Sequence, residues 1–276
     1  MKKILLSKIL IIAFSTTLFA GAWTQKKSTG YFQLGSQLLS AKKEYDAEGN
    51  KSSIPNFNDI TINFYGEYGL SNDFTLIANI PFYRSLKFDG WTPAGKEVSK
   101  TGISDSHLGV KIKLKEFSQN VLSLTTLLGI PLGERNDSTG LWTGSEEWNQ
   151  IIMLNFGRSF YPLDFYLSSS VGYNNRTNGF SDEIRYSLEG GYFVIKNKLL
   201  LILRIGGVAS LKNGSLGNVS GIAGLYANNQ NFLAYGPEVH YSITNKIGLI
   251  AKFESGAMVK NAPSAIAYGF GIYFKY

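Results

Sequence analysis

Apolar and polar side chains alternate with a period of two along nearly the whole chain, and this pattern limits the possible folds most. In 60–68, Ile60, Ile62, Phe64 and Tyr68 alternate with Thr61, Asn63, Tyr65 and Glu67. Beyond Ser71-Asn72-Asp73, the residues Phe74, Leu76, Ala78, Ile80 and Phe82 continue the pattern. Side chains at i and i+2 share one face of a strand, so each such segment has one apolar face. About twelve segments follow this rule. They lie near 29–41, 58–70, 74–86, 103–115, 121–133, 148–159, 165–176, 182–195, 198–211, 231–243, 246–259 and 264–276.

The connections alternate in length. Those near 71–73, 116–120, 160–164, 195–197 and 244–245 are short. Those near 42–57, 87–102, 134–147 and 212–230 are long and rich in Gly, Ser, Asn and Asp, with 177–181 and 260–263 shorter. An up-and-down membrane barrel has this asymmetry: short periplasmic turns, longer external loops, an even strand number and both termini inside. A soluble sandwich has no reason to alternate its loops in this way. The segments also have the ~9–11 residues that a membrane strand needs, against ~5–6 in soluble strands. The expected fold is therefore an all-β, transmembrane, antiparallel barrel of about twelve strands.

Composition agrees. Aromatics are 14% of the chain and Gly 30 of 276, yet mean hydropathy is only −0.04. Helical membrane proteins are far more apolar, and no run of ~18 apolar residues is present. A barrel averages out near zero because half of each strand faces a polar interior.

The N-terminus reads as an export signal. Lys2, Lys3 and Lys8 precede a short apolar stretch from Ile9 to Phe19, and Ala20-Gly21-Ala22 fits the small-x-small cleavage rule. The expected division is a signal peptide at 1–22 and a barrel at 23–276, placed in the outer membrane of a Gram-negative-type cell. Three of the 27 Lys+Arg lie in that signal, leaving 24 against 20 Asp+Glu. These charges are interspersed, so nothing indicates nucleic-acid binding. Cysteine is absent, which excludes disulfides, thiol chemistry and a lipoprotein anchor.

The predicted outward positions carry no charge at their centres: Leu108, Val110 and Ile112; Leu124 and Leu128; Ile152, Leu154 and Phe156; Leu201, Leu203 and Ile205. A Lys or Arg at the bilayer midplane costs ~2–4 kcal/mol, so a lipid-facing surface should lack them. Arg158 shares the outward parity but lies near a turn, where a long side chain can reach the interface. Tyr68, Phe74, Phe165, Tyr192 and Tyr241 lie near short turns, as an aromatic girdle requires. At the C-terminus Tyr268, Phe270, Ile272, Phe274 and Tyr276 alternate with Gly269, Gly271, Tyr273 and Lys275. This end resembles the targeting signal read by the barrel-assembly machinery, with Tyr in place of the usual terminal Phe. It is equally a closing strand that pairs with the first.

Evidence for chemistry is sparse. There are two histidines, and no GxSxG, HExxH or phosphate-loop motif. No catalytic residue, metal or cofactor is assigned. His240 shares the inward parity with Glu238 and Ser242, and His107 lies two residues from Asp105; both read as polar lumen residues. Glu146-Glu147 falls in an external loop and reads as solvated. The inward parity collects the candidate lumen residues Glu67, Lys111, Lys113, Arg185, Glu189, Arg204, Glu238, His240, Lys252 and Glu254. Their signs are mixed. They either pair across a filled interior or line a wet pathway, and twelve strands lie between the filled and open cases.

Three stretches carry a family resemblance: EYGLSNDFTLIANIPFY at 67–83, GISDSHLGVKIKL at 102–114 and LLGIPLG at 127–133. They resemble the barrel family named for the meta-pathway of phenol degradation, most closely in the N-terminal half. Leu132 stands where Thr or Ser is usual. The resemblance implies an outer-membrane channel for small, often hydrophobic or aromatic molecules, and it brings no catalytic residue. The expected function is such a channel, with lipid and a small-molecule cargo as partners. A barrel enzyme acting on lipid and a structural or adhesive barrel are the alternatives.

Overall fold

The computed structural model describes residues 21–90 and 96–276, so most of the export segment lies outside the described residues. The strands are β1 (Gly30–Tyr45), β2 (Lys51–Gly69), β3 (Phe74–Phe88), β4 (Val98–Gly102), β5 (Ser106–Phe117), β6 (Asn120–Ile130) and β7 (Asn149–Ser159). They continue as β8 (Phe165–Arg176), β9 (Glu183–Ile195), β10 (Leu199–Ser210), β11 (Asn231–Ser242), β12 (Ile247–Lys260), β13 (Ala262–Pro263) and β14 (Ala267–Lys275). Each pairs antiparallel with its neighbours, and β1 pairs with both β2 and β14, which closes the sheet. The short β4 extends the β5 position on β3, and β13 extends the β14 position on β1. Twelve wall strands result, the number that the alternation predicts. Closure leaves no free edge, the condition for a sheet inside lipid.

The pleat separates two surfaces. Leu76, Leu154, Leu203, Phe270 and Ile272 project outward and are exposed on the isolated chain, where lipid would cover them. Residues of the opposite parity, such as Thr75, Asn79, Thr125 and Asn155, are buried inside. Gly30 and Tyr276 exchange backbone hydrogen bonds at 3.1 and 2.9 Å, so the first and last wall strands meet at the short-turn end.

Two long loops expected from the sequence are mostly strand. The β1–β2 ladder continues to Tyr45 opposite Lys51, so the connection predicted at 42–57 shrinks to a tight turn at 46–50. Asp46 builds it: its Oδ1 accepts from the backbone N–H groups of Glu48 and Asn50 at 3.0 and 2.7 Å. The connection predicted at 87–102 likewise yields the end of β3 and all of β4. Beyond the apolar band the outward face meets water, while the inward face packs Phe57 and Phe88, with Ile54 and Val98 beside them, against Leu141 and Leu225 of the inserted loops. The apolar-outward alternation therefore fades while the backbone ladder persists.

Candidate functional site

Among the described residues the lumen holds two main chambers. The inner one, toward the short turns, is about 620 Å³. Trp23, Tyr31, Tyr65, Tyr166, Leu200 and Ile202 give it an aromatic and aliphatic lining, with Gln33, Asn63 and Lys252 among its polar groups. The outer one, toward the long loops, is about 220 Å³, lined by Phe57, Val208 and Phe232 on one side and Glu147, Arg176 and Glu183 on the other.

Between them stands a septum. Arg84, 5% exposed, meets the Asp59 carboxylate through Nε and Nη2, the latter at 2.6 Å. Its Nη1 donates to the Tyr226 hydroxyl at 2.7 Å. That hydroxyl donates to the Thr143 carbonyl at 2.6 Å and also contacts the Ser104 hydroxyl. Burial pushes the Tyr226 phenol up to about 12, with Arg84 pulling the other way, so it stays a proton donor. Tyr226 and Thr143 come from the loops 211–230 and 131–148, which fold into the barrel. The Ile222 N–H donates to the Gly140 carbonyl at 2.7 Å and ties these loops together. Asp105 holds the second loop to the wall, accepting from the N–H groups of Gly133 and Ser145 at 3.0 and 2.8 Å. The Gly-Ile-Ser-Asp stretch thus breaks the wall strand between β4 and β5 and anchors the septum with its Ser104 and Asp105.

The short-turn end is crossed by the segment before β1. Gln25 donates through Nε2 to Glu67 at 2.8 Å and through its N–H to the Thr75 hydroxyl at 2.8 Å. Trp23 packs edge-on against Tyr166, centroids 5.5 Å apart. Its ring passes so close to Gly157 that a Cβ there would lie 2.8 Å away, and the Lys26 carbonyl would be 2.1 Å from a Cβ on Gly69.

The candidate lumen charges are distributed as follows. Glu67 and Lys111 face inward, are 3% and 1% exposed, and pair at 3.1 Å beneath the N-terminal segment. Arg204 bridges Glu189 and Glu238 at 2.5 and 2.8 Å on the inner chamber wall. His240 reaches Glu238 at 2.5 Å, while the Ser242 hydroxyl is engaged by Tyr273 at 2.7 Å. Ser242 and His240 thus hydrogen-bond to different partners. Lys252 lines the inner chamber, and Arg185 lines the outer one, where it pairs with Glu183 at 3.0 Å. Glu254 lies in a small pouch between β11 and β12 beside Arg204. Lys113 lies at the short-turn rim with Asp73 and Glu116, at 3.2 and 2.8 Å, away from both chambers. Tyr268, Phe270, Ile272, Phe274 and Tyr276 are all exposed, the first four on the outer face of β14.

Glu147 departs from its sequence reading. It is 2% exposed rather than solvated and pairs with Arg176, which also holds Glu183 at 2.8 Å. Burial pushes its carboxyl up to about 7 although the Arg176 guanidinium pulls it down. The inward folding of 131–148 is responsible, and nothing in the local sequence of that loop signals it. Arg84, Asp59, Tyr31 and Tyr166 are lumen residues outside the candidate set that the sequence pattern defines. The parity of β2 and β3 does mark Asp59 and Arg84 as inward and opposite in charge, whereas Tyr226 has no such signal.

A closed twelve-stranded barrel with an apolar outer band and a charged, aromatic lumen defines an outer-membrane β-barrel. Residues 16–276 match the family described as "Putative MetA-pathway of phenol degradation", and the chain belongs to that family. Among curated proteins none matches it. The fold is similar to that of an outer-membrane channel from Pseudomonas putida F1, with TM-score 0.68, 15% identity, and 92% of this chain and 98% of that one covered. More distant likenesses are the CymD monoaromatic hydrocarbon channel and a FadL homologue from Pseudomonas aeruginosa. Their TM-scores are 0.46 and 0.42, and their identities 9% and 10%. Coverage of this chain is 91% for both, and of each of those chains 90%. These two share the general barrel plan and carry no further argument.

Proposed function

We propose that this protein is a channel through which small, partly apolar molecules, aromatic ones included, cross the outer membrane. The observation that carries this reading is the pair of stacked chambers separated by a septum of side chains and loops. Cargo enters the outer chamber, passes when the Tyr226 loop moves, and rests in the aromatic inner chamber. Apolar walls bind apolar surface, while Gln33, Asn63 and Lys252 offer polar contacts. No residue of the lumen is assigned a chemical step.

Vesicles whose outer leaflet contains lipopolysaccharide resist apolar solutes and provide the test. Inserted barrel should speed entry of a small monoaromatic solute several-fold. Ile202→Trp, which narrows the inner chamber, should remove most of the gain. Equal entry with and without folded protein would contradict the reading.

We also propose that the outward aromatic row of β14 directs assembly by the barrel machinery. Deleting Phe274–Tyr276 removes part of that row and several pairings of β14 with β1 and β12. Folded, heat-modifiable barrel in the outer membrane should fall strongly. Undiminished amounts would count against this role.

A further inference from the structure

The acidic groups at the short turns are already engaged. Lys113 takes both Asp73 and Glu116, and Asp164 pairs with Lys196 at 3.6 Å. Lys115 and Arg158 have no ion-pair partner among the described residues. Both face outward. The bulge between Lys113 and Lys115 turns Lys115 opposite Leu122, which in turn lies opposite Phe156. Arg158 follows Leu154 and Phe156 on the outer face of β7 and lies opposite Asn120 and Leu167. The two cations therefore lie on one patch of the outer wall, two strands across and two residues along, or about 12 Å apart.

Each cation has the same aromatic support. Lys115 Nζ is 5.8 Å from the ring centroid of Phe117, and the Arg158 guanidinium is 5.1 Å from that of Phe160. In both cases the ring lies two residues further along the chain. Such rings belong at the boundary between acyl chains and headgroups. Farther from the turns the same outer face is Leu124, Leu154 and Ile152.

We propose that this patch is a binding site for the headgroup of an anionic phospholipid in the periplasmic leaflet. Arg158 offers a fork of N–H donors that matches two phosphate oxygens, and Lys115 adds a second charge. The acyl chains then run along Leu122, Leu124 and Leu154. A soluble acidic partner fits less well, because the patch continues into a face that only lipid covers. The inference rests on the outer wall and is independent of the proposed channel.

Native mass spectrometry of the purified full barrel provides the test. Micelles would contain equal amounts of phosphatidylglycerol and phosphatidylcholine with the same acyl chains. The barrel should retain phosphatidylglycerol about 25-fold more often, roughly five-fold for each of the two cations near an anionic surface. Lys115→Gln with Arg158→Gln should bring the ratio to parity, while Lys196→Gln with Lys246→Gln should leave it unchanged. Should the first pair not fold, Arg158→Gln alone should reduce the preference by at least half. Equal retention by the native barrel, or a preference untouched by these changes at Lys115 and Arg158, would overturn the proposal.

Discussion

Arginine in place of Leu154 is expected to destabilise the barrel by ~2–4 kcal/mol, because a charge then lies near the bilayer midplane. Leu154 is the sixth of eleven residues in β7 and 44% exposed on the outer face. Gln150→Arg places the same charge on the same face of the same strand, near the long-loop end. There the cost should fall to about 0–1 kcal/mol, since the side chain reaches the interface. Reversible denaturant unfolding in a lipid bilayer measures both. Equal costs would show that the outer face or the depth of β7 is misassigned.

Arg204→Met is expected to cost about 3 kcal/mol by a different route. The guanidinium joins Glu189 and Glu238, whose side chains are 9% and 11% exposed. Removing it leaves two carboxylates close together in a confined lumen, and breaking a buried pair is far worse than replacing all its members. Adding Glu189→Gln and Glu238→Gln to Arg204→Met should restore much of the stability. The same unfolding assay reads this. Additive losses in the triple variant would show that the network is not a coupled unit.

These two cases mark what the sequence makes legible. Leu154 is readable because lipid imposes one simple rule on every outward position, and the pleat spreads that rule along the strand. Arg204, Glu189 and Glu238 are readable as inward charges from the same parity. Their mutual pairing follows from register, since Arg204 lies opposite Glu189 across β9–β10, two residues from the partner of Glu238. The septum is a different case. Tyr226 reaches Arg84 across 142 residues, through a loop whose course no periodicity describes. Glu147 reads as solvated for the same reason: a polar loop that folds into a barrel resembles one that extends into water. The N-terminal segment also has no alternation to place Trp23 beneath the lumen.

The septum also gives the channel reading its most direct test. Single-channel current is recorded across a planar bilayer, first with native barrel and then with Tyr226→Ala. Removing the phenol takes away the contacts to Arg84, Ser104 and Thr143 and widens the passage between the chambers. The native barrel should show small, reproducible steps, and the variant clearly larger ones. A monoaromatic solute should interrupt the current in both. A silent bilayer from well-folded native and Tyr226→Ala protein, or steps that neither the substitution nor the solute changes, would contradict the account.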